Sequence, residues 1–485
     1  METLQRTANR GSISTGYDID NSLKFESDNS ERMSFTPSSA VASERRKHTI
    51  SFWIKRTELG STQYIYEWGG SEGDYLRNFL RFQSDDTLRY ATSYNVIINT
   101  TRVFRDTSAW YHIVIQTDTV QSSDSDTKFW MYVNGELEGS STAFNVNDTM
   151  AFANNSQHDI GFTSVDNGAY GNYYLAEFNA VGGLKLAPTE FGEYDEDSGI
   201  WKPKAYTGSY GTNGFYLDFS DAANLGDDAS GNGNDFTLNN ITSADQALDS
   251  PTNNFAIISN AMRDNNELSY STVSDGGSRF RTTVTEKWVT SVSSIGVTKG
   301  KWYAEFNVIG ARPNNWWGIA SMEQLNNNSG YSSAGSHLGE NGKNWSIGYY
   351  QANGRLDEQQ NSGYTTTSGW GGSVSQNAIV GVALDMDNHN LYIAVNNTYQ
   401  NSGDPTSGAT GTGAISFDDT ETVAIANTGY SLGSGNDTIT GHNYGGYRTG
   451  GLPDNATDEN GYGAFRYAPP SGYYALCTKN LAEYG

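Results

Sequence analysis

Thr49-Ile50-Ser51-Phe52-Trp53-Ile54 sends Ile50, Phe52 and Ile54 to one face of an extended chain. The same period of two runs from Lys128 to Val133, where Phe129, Met131 and Val133 share a face and Asn134-Gly135 then offers a hairpin turn. Trp302, Ala304, Phe306 and Val308 alternate likewise, as do Leu391, Ile393 and Val395. Long windows with apolar residues at i, i+3, i+4 and i+7 are scarce. Val, Ile, Thr, Tyr, Phe and Trp fill the periodic segments, and Gly, Asn, Asp and Ser fill the gaps. This pattern predicts an all-β chain: two antiparallel β-sandwich domains joined by an ordered, loop-rich connector.

Composition narrows the function. The 485 residues suit roughly three domains of about 150 residues, or two large all-β ones. Asp and Glu outnumber Lys and Arg by 55 to 30, for a net charge of −25. A nucleic-acid groove needs a clustered positive surface, so nucleic acid is not an expected partner. The same charge repels an anionic bilayer surface. Aromatics at 13% argue against disorder. The longest apolar run (glycine included), Ala378 to Leu384, is far too short to span a membrane, so no insertion is expected. The single cysteine, Cys477, rules out an internal disulfide framework and a cysteine-based zinc site. METLQRTANR has no apolar core, so synthesis without export, in a reducing cytosol, is expected.

The charge is uneven. Up to residue 190 there are 16 basic and 24 acidic residues, and beyond it 14 and 31, for −8 and −17. Between about 190 and 255 the chain carries many acids and only Lys202 and Lys204 as bases. The expected organisation is an N-terminal arm over 1–15, a sandwich over 16–190, an acidic connector over 191–255 and a second sandwich over 256–485. Phe215, Tyr216, Leu217 and Phe219 argue that the connector packs on something.

SLKFESDNSERMSF, HTISFWIKR, WYHIVIQTD (110–118), KFWMYVNGEL (128–137) and YYLAEFNAV (173–181) follow one another in an order that resembles a laminin-G-like, concanavalin A-like jelly roll. GKWYAEF (300–306), WWGIAS (316–321), IVGVALDMDNHNLYIAVNN (379–397) and HNYGG (442–446) resemble a SPRY-like sandwich. The ending PPSGYYALCTKNL, with DDASGNGNDFTLNN and DSPTNNF, resembles virion proteins of tailed, especially marine, bacteriophages. That likeness implies a structural or host-contacting particle protein, made in the host cytoplasm and exposed on the virion. Other virion proteins, host-surface glycans and a second copy of the chain are then its expected partners.

Catalytic chemistry finds little purchase. A retaining glycosidase needs two carboxyls about 5 Å apart over one sugar. Glu193, Asp195 and Asp197 lie in the acidic segment without an apolar strand, and Asp385 and Asp387 end a strand at a turn. Gly429-Tyr430-Ser431-Leu432-Gly433 fits the G-x-S-x-G string, but loop and strand follow it rather than a helix. The six histidines form no i, i+4 pair, and His112 lies in a strand where a packed imidazole is expected. Calcium is the one candidate cofactor. Asp228, Ser230 and Asn232 with Gly233 match the start of an EF-hand loop, but Asn239 at position 12 cannot supply the bidentate carboxylate. The laminin-G resemblance implies a rim calcium that Asp124 and Asp126 could line. Arg45-Arg46-Lys47-His48 is the one basic run, a solvated loop or a dock for an acidic neighbour.

Aromatics point to binding. Trp316 and Trp317 are adjacent in a period-two strand, so one must point away from the core. With Trp345, Tyr349 and Trp370 they form the expected sugar-stacking ligand site. The reading is a virion surface protein (fibre, knob or decoration) that adheres non-covalently to host glycans or envelope and is not an enzyme. A purely architectural capsid or tail component and a polysaccharide-degrading spike are the alternatives.

Overall fold

The computed structural model describes residues 16–69, 77–163, 169–196, 198–259, 270–310, 314–322, 336–418, 422–431, 437–447 and 455–485. The expected arm over 1–15 lies outside them. Contacts divide the chain into two compact units, Ile13–Asn253 and Asn254–Gly485. Both are antiparallel sandwiches, as the alternation predicts. Among the described residues no helix is long and apolar enough to cross a membrane.

In the first unit, the strand Lys47–Arg56 sits mid-sheet between Tyr111–Asp118 and Tyr173–Gly182. Ser22–Phe25 extends that sheet on one side, and Phe129–Val133 and Glu136–Ser141 on the other. Facing it is a sheet through Arg32–Phe35, His158–Ile160, Gln63–Trp68, Asn78–Phe82, Thr87–Thr92 and Val96–Val103. Ile50, Phe52, Ile54, Phe129, Met131 and Val133 all enter the core between the sheets. At the hairpin, Asn134 and Gly135 both take positive φ, 50° and 80°, as the tight turn between right-twisted strands requires.

The acidic segment is built into this unit instead of forming a separate connector. Phe215–Leu217 pairs with Tyr173–Gly182, Thr237–Asn239 with Arg32–Phe35, and Gln246–Ala247 with Ser22–Phe25. Phe215, Leu217, Phe219, Leu225 and Phe236 join the core. Polar anchors also hold it. Asp249 accepts from Lys55 Nζ at 2.6 Å and from the Trp110 indole at 3.0 Å, both well inside. The Thr252 hydroxyl meets Ile19 N and O at 2.9 Å each, so the unit's two ends run side by side. The sequence hid this because the strands are two or three residues long, too short to display a period.

The second unit packs a sheet centred on Lys301–Val308, Ile379–Asp385 and Asn390–Val395 against one running through Lys287–Val292, Val423–Ser431, Asn315–Ser321, Ser346–Tyr350, Leu356–Gln360 and Gly363–Thr367. Trp302, Phe306, Val380, Val382, Leu384, Leu391 and Ile393 meet Trp317, Ile319, Ile347 and Ile425 in its core. Cys477 is buried and outside any disulfide, and Phe255 forms a β-bridge with it.

Candidate functional site

Along Asn315–Ser321, Trp317 and Ile319 point into the core and Trp316 points to the outer face, as the alternation requires. Pointing outward does not expose Trp316. Its cross-strand neighbour Tyr350 stacks on it at 4.0 Å between ring centres and His337 at 4.3 Å, leaving the indole 3% accessible. Trp288 meets it edge-on at 4.8 Å and in turn packs on its own cross-strand partner Tyr430 at 4.3 Å. Beneath lies Asp357, fully buried. It accepts the Trp316 indole N–H at 2.9 Å, Arg355 Nε and a terminal nitrogen at 3.0 and 2.8 Å, and the Thr366 hydroxyl at 3.0 Å. The Arg355 guanidinium lies 5.2 Å over the Tyr350 ring.

The outer face of this sheet therefore presents half-buried Trp288, His337, Tyr350, Tyr430 and Arg355 over a locked Trp316–Asp357 base. This corrects the expected ligand site. Trp317, Trp345 and Tyr349 are core residues at 0, 2 and 0% exposure, and Trp316 lies under its neighbours. Only Trp370 keeps partial exposure, edge-on to Tyr349 at 5.7 Å. Trp288, His337 and Tyr430 were missed because they come from separate segments that only the sheet register unites. Two aromatic cross-strand pairs, Trp316 with Tyr350 and Trp288 with Tyr430, were the available signal.

The expected calcium ligands are engaged otherwise. The Asp124 carboxylate accepts Val146 N at 2.6 Å, and that of Asp126 accepts Ser122 N and Ser123 N at 3.1 and 2.9 Å. The carbonyls of Asp124 and Asp126 take the Lys128 ammonium at 2.8 and 2.9 Å, so the loop already holds a cation of its own. Asp228 accepts Tyr216 N, Ser230 N, the Ser230 hydroxyl and Asn234 N, all within 3.0 Å, which makes it an Asx-turn brace. Among the described residues no group of three or more His, Cys, Asp or Glu could hold a metal.

A serine–histidine contact does occur, with the wrong tautomer for catalysis. His112 Nε2 lies 2.8 Å from Ser51 Oγ, and the Trp201 indole donates to His112 Nδ1 at 2.9 Å. An indole nitrogen is only a donor, so Nδ1 must be the acceptor and Nε2 carries the proton. That proton points at the serine, so His112 cannot act as its base. Burial drives His112 down to about 3, and it stacks on Trp53 and Trp201, a packed imidazole.

The carboxylates fare no better. Glu193 and Asp195 pair with Lys202 at 3.5 and 3.3 Å, and Asp197 lies outside the described residues. Asp385 takes Lys301 at 3.0 Å and Asn388 N at 2.9 Å, while Asp387 takes Gly300 N at 2.8 Å. Of the G-x-S-x-G string, Ser431 ends a buried strand and donates to Asp437 at 3.1 Å; Leu432 and Gly433 lie outside the described residues. The basic run is spent internally. Lys47 pairs with Asp118 at 3.3 Å, Arg45 Nε donates to the Met150 carbonyl at 3.0 Å, and His48 is buried.

The family profile described as the concanavalin A-like lectin/glucanases superfamily matches residues 10–180. No curated protein matches the chain. Among solved structures, the human HERC1 SPRY domain is similar at 14% identity and a TM-score of 0.27, over 37% of this chain and 96% of its own. Mouse laminin alpha1 domains LG4-5 are similar at 9% identity and a TM-score of 0.29, over 85% and 84%. A heptameric SAP-like pentraxin from Limulus polyphemus is similar at 18% identity and a TM-score of 0.26, over 36% and 80%.

Proposed function

We propose that this protein is a non-catalytic, glycan-binding adhesive protein displayed on a phage-type virion. The observation that carries the reading is the aromatic outer face of the second unit. Half-buried Trp288, Tyr350 and Tyr430 offer ring surface to the apolar side of a sugar, Arg355 offers a donor to its hydroxyls, and His337, whose Nδ1 donates to the Leu338 carbonyl, offers an acceptor at Nε2. Trp316 and Asp357 fix that face from below, so little side-chain freedom remains to be lost on binding. The lectin-type profile over residues 10–180 supports the glycan class. The virion setting rests on the resemblance of the chain's ending and its acidic segment to phage particle proteins.

A glycan array probed with the full chain tests this, alongside Trp288→Ala and Tyr350→Ala. Binding by the parent chain that both variants weaken supports the reading. An empty array, or binding that ignores both variants, overturns it.

The architectural alternative has one observation in its favour. Val96, Val103 and Leu137 stand exposed on Val96–Val103 and Glu136–Ser141, which end the two sheets of the first unit. Locating the protein inside the particle shell would favour it.

A further inference from the structure

The strand Tyr173–Gly182 contains an irregularity between Ala176 and Asn179, and Glu177 sits in it at φ 53°, a region L residues rarely enter. The extra residue keeps Leu175, Phe178 and Ala180 in the core and turns Glu177 outward. There its carboxyl meets two phenols. Tyr17 Oη lies 2.8 Å from Oε2, Tyr216 Oη 2.7 Å from Oε1, and the two phenol oxygens are 3.0 Å apart.

These three contacts close a triangle, and each needs one proton. The two phenols bring two. An ionised carboxylate would attract both, leaving lone pair against lone pair between the tyrosines at 3.0 Å. A carboxylic acid supplies the third proton, and all three edges become hydrogen bonds. We propose that Glu177 is held as the neutral acid, closing a ring with Tyr17 and Tyr216 that latches the chain at Tyr17 to the bulged strand and releases when that proton is lost.

The surroundings agree. Among the described residues, Asp218, which follows Phe215–Leu217, is the charged group that acts on Glu177. Tyr210 stacks along Tyr216 and donates to Asn179 on the bulged strand at 2.7 Å, so it faces the ring without neutralising it. Burial is the main cause that lifts Glu177 from 4.5 to about 7. Because the folded state binds this proton more tightly, the latch stabilises fully below 4.5. That contribution is lost as pH rises through the interval to about 7.

Glu177→Gln in the full chain tests the latch, because the amide supplies an N–H where the acid has its O–H and keeps the ring closed at every pH. The infrared carbonyl band of a protonated carboxylic acid should be present at pH 6 in the parent chain and fade with a midpoint near neutrality. In E177Q it should be weaker by one carboxyl. Amide exchange in the peptide spanning Tyr17 should lose protection by about tenfold between pH 5.5 and 8.5, after correction for intrinsic rates, and E177Q should abolish that loss. An unchanged band in E177Q overturns the proposal. If E177Q does not fold, pH-independent protection around Tyr17 in the parent chain overturns it equally.

Discussion

The outer face of the central sheet in the first unit and the outer face of the Trp316 sheet in the second start from the same pattern. Each alternates core residues with outward aromatic and polar ones. In the first, Trp53, His112, Lys55 and Ser51 face away from the core, and the chain returns to cover them: Trp201 stacks on His112, Asp249 seals Lys55, and Leu186 O accepts from Gln116. In the second, Trp288, Tyr350 and Tyr430 keep part of their surface. Strand alternation decides which side chains leave the core. Whether they become a surface is decided by segments with no period at all.

The cover of the first unit depends most on Asp249. Asp249→Ala leaves the Lys55 ammonium buried without its carboxylate, and the first unit should lose about 3–5 kcal/mol in urea denaturation. An unchanged midpoint would mean that the cover is not held by this pair.

Acid sharpens the contrast. His48, His112 and His158 in the first unit are driven by burial from 6.5 to about 4, 3 and 3, and His442 in the second to about 3. A histidine lowered on folding takes up its proton preferentially when unfolded, so its stabilising share is lost as pH falls below 6.5. The first unit opposes this with Glu31 and Glu177, raised to about 7, and Asp159, raised to about 6, which gain stability as pH falls. From pH 7 to 5 the two sets roughly cancel there, whereas His442 should cost the second unit about 2 kcal/mol, offset in part by the upward shift of Glu358. Amide exchange read separately on Lys47–Arg56 and Ile379–Asp385 checks this. A steeper loss in the first unit would refute it.

On the open face, Trp288→Ala should weaken glycan binding about tenfold, or about 1.4 kcal/mol, with the melting temperature little changed. Isothermal titration and a thermal melt together separate the two effects. The smallest effect is expected on the covered face. Trp201→Phe removes the indole donor to His112 Nδ1 and should cost about 1 kcal/mol. The tautomer is then free to change, which nitrogen chemical shifts of His112 would reveal.

Much of the fold was legible because a strand with one face on a core writes a period of two. Ile50/Phe52/Ile54 and Phe129/Met131/Val133 were read correctly from that rule, and Asn134-Gly135 from turn chemistry. The site was less legible. Trp316 does point outward as its neighbour points in, but accessibility depends on Tyr350 and His337, which sequence distance separates from it. Asp124 and Asp126 are a cation loop only by the laminin-G resemblance, and Lys128, two residues beyond Asp126, is the cation that the loop holds. The bulge at Glu177 leaves no mark beyond an acid in an apolar strand.

The pairing of the first unit's ends has a mechanical consequence. Ile19 meets Thr252, and Ser22–Phe25 runs antiparallel to Gln246–Ala247, so chain entry and exit leave from the same side. Tension between those ends would load their hydrogen bonds one after another, like a zip, instead of shearing them together. Under such tension the unit would begin to yield at this seam at low force, while Lys47–Arg56, flanked by strands on both sides, stays intact.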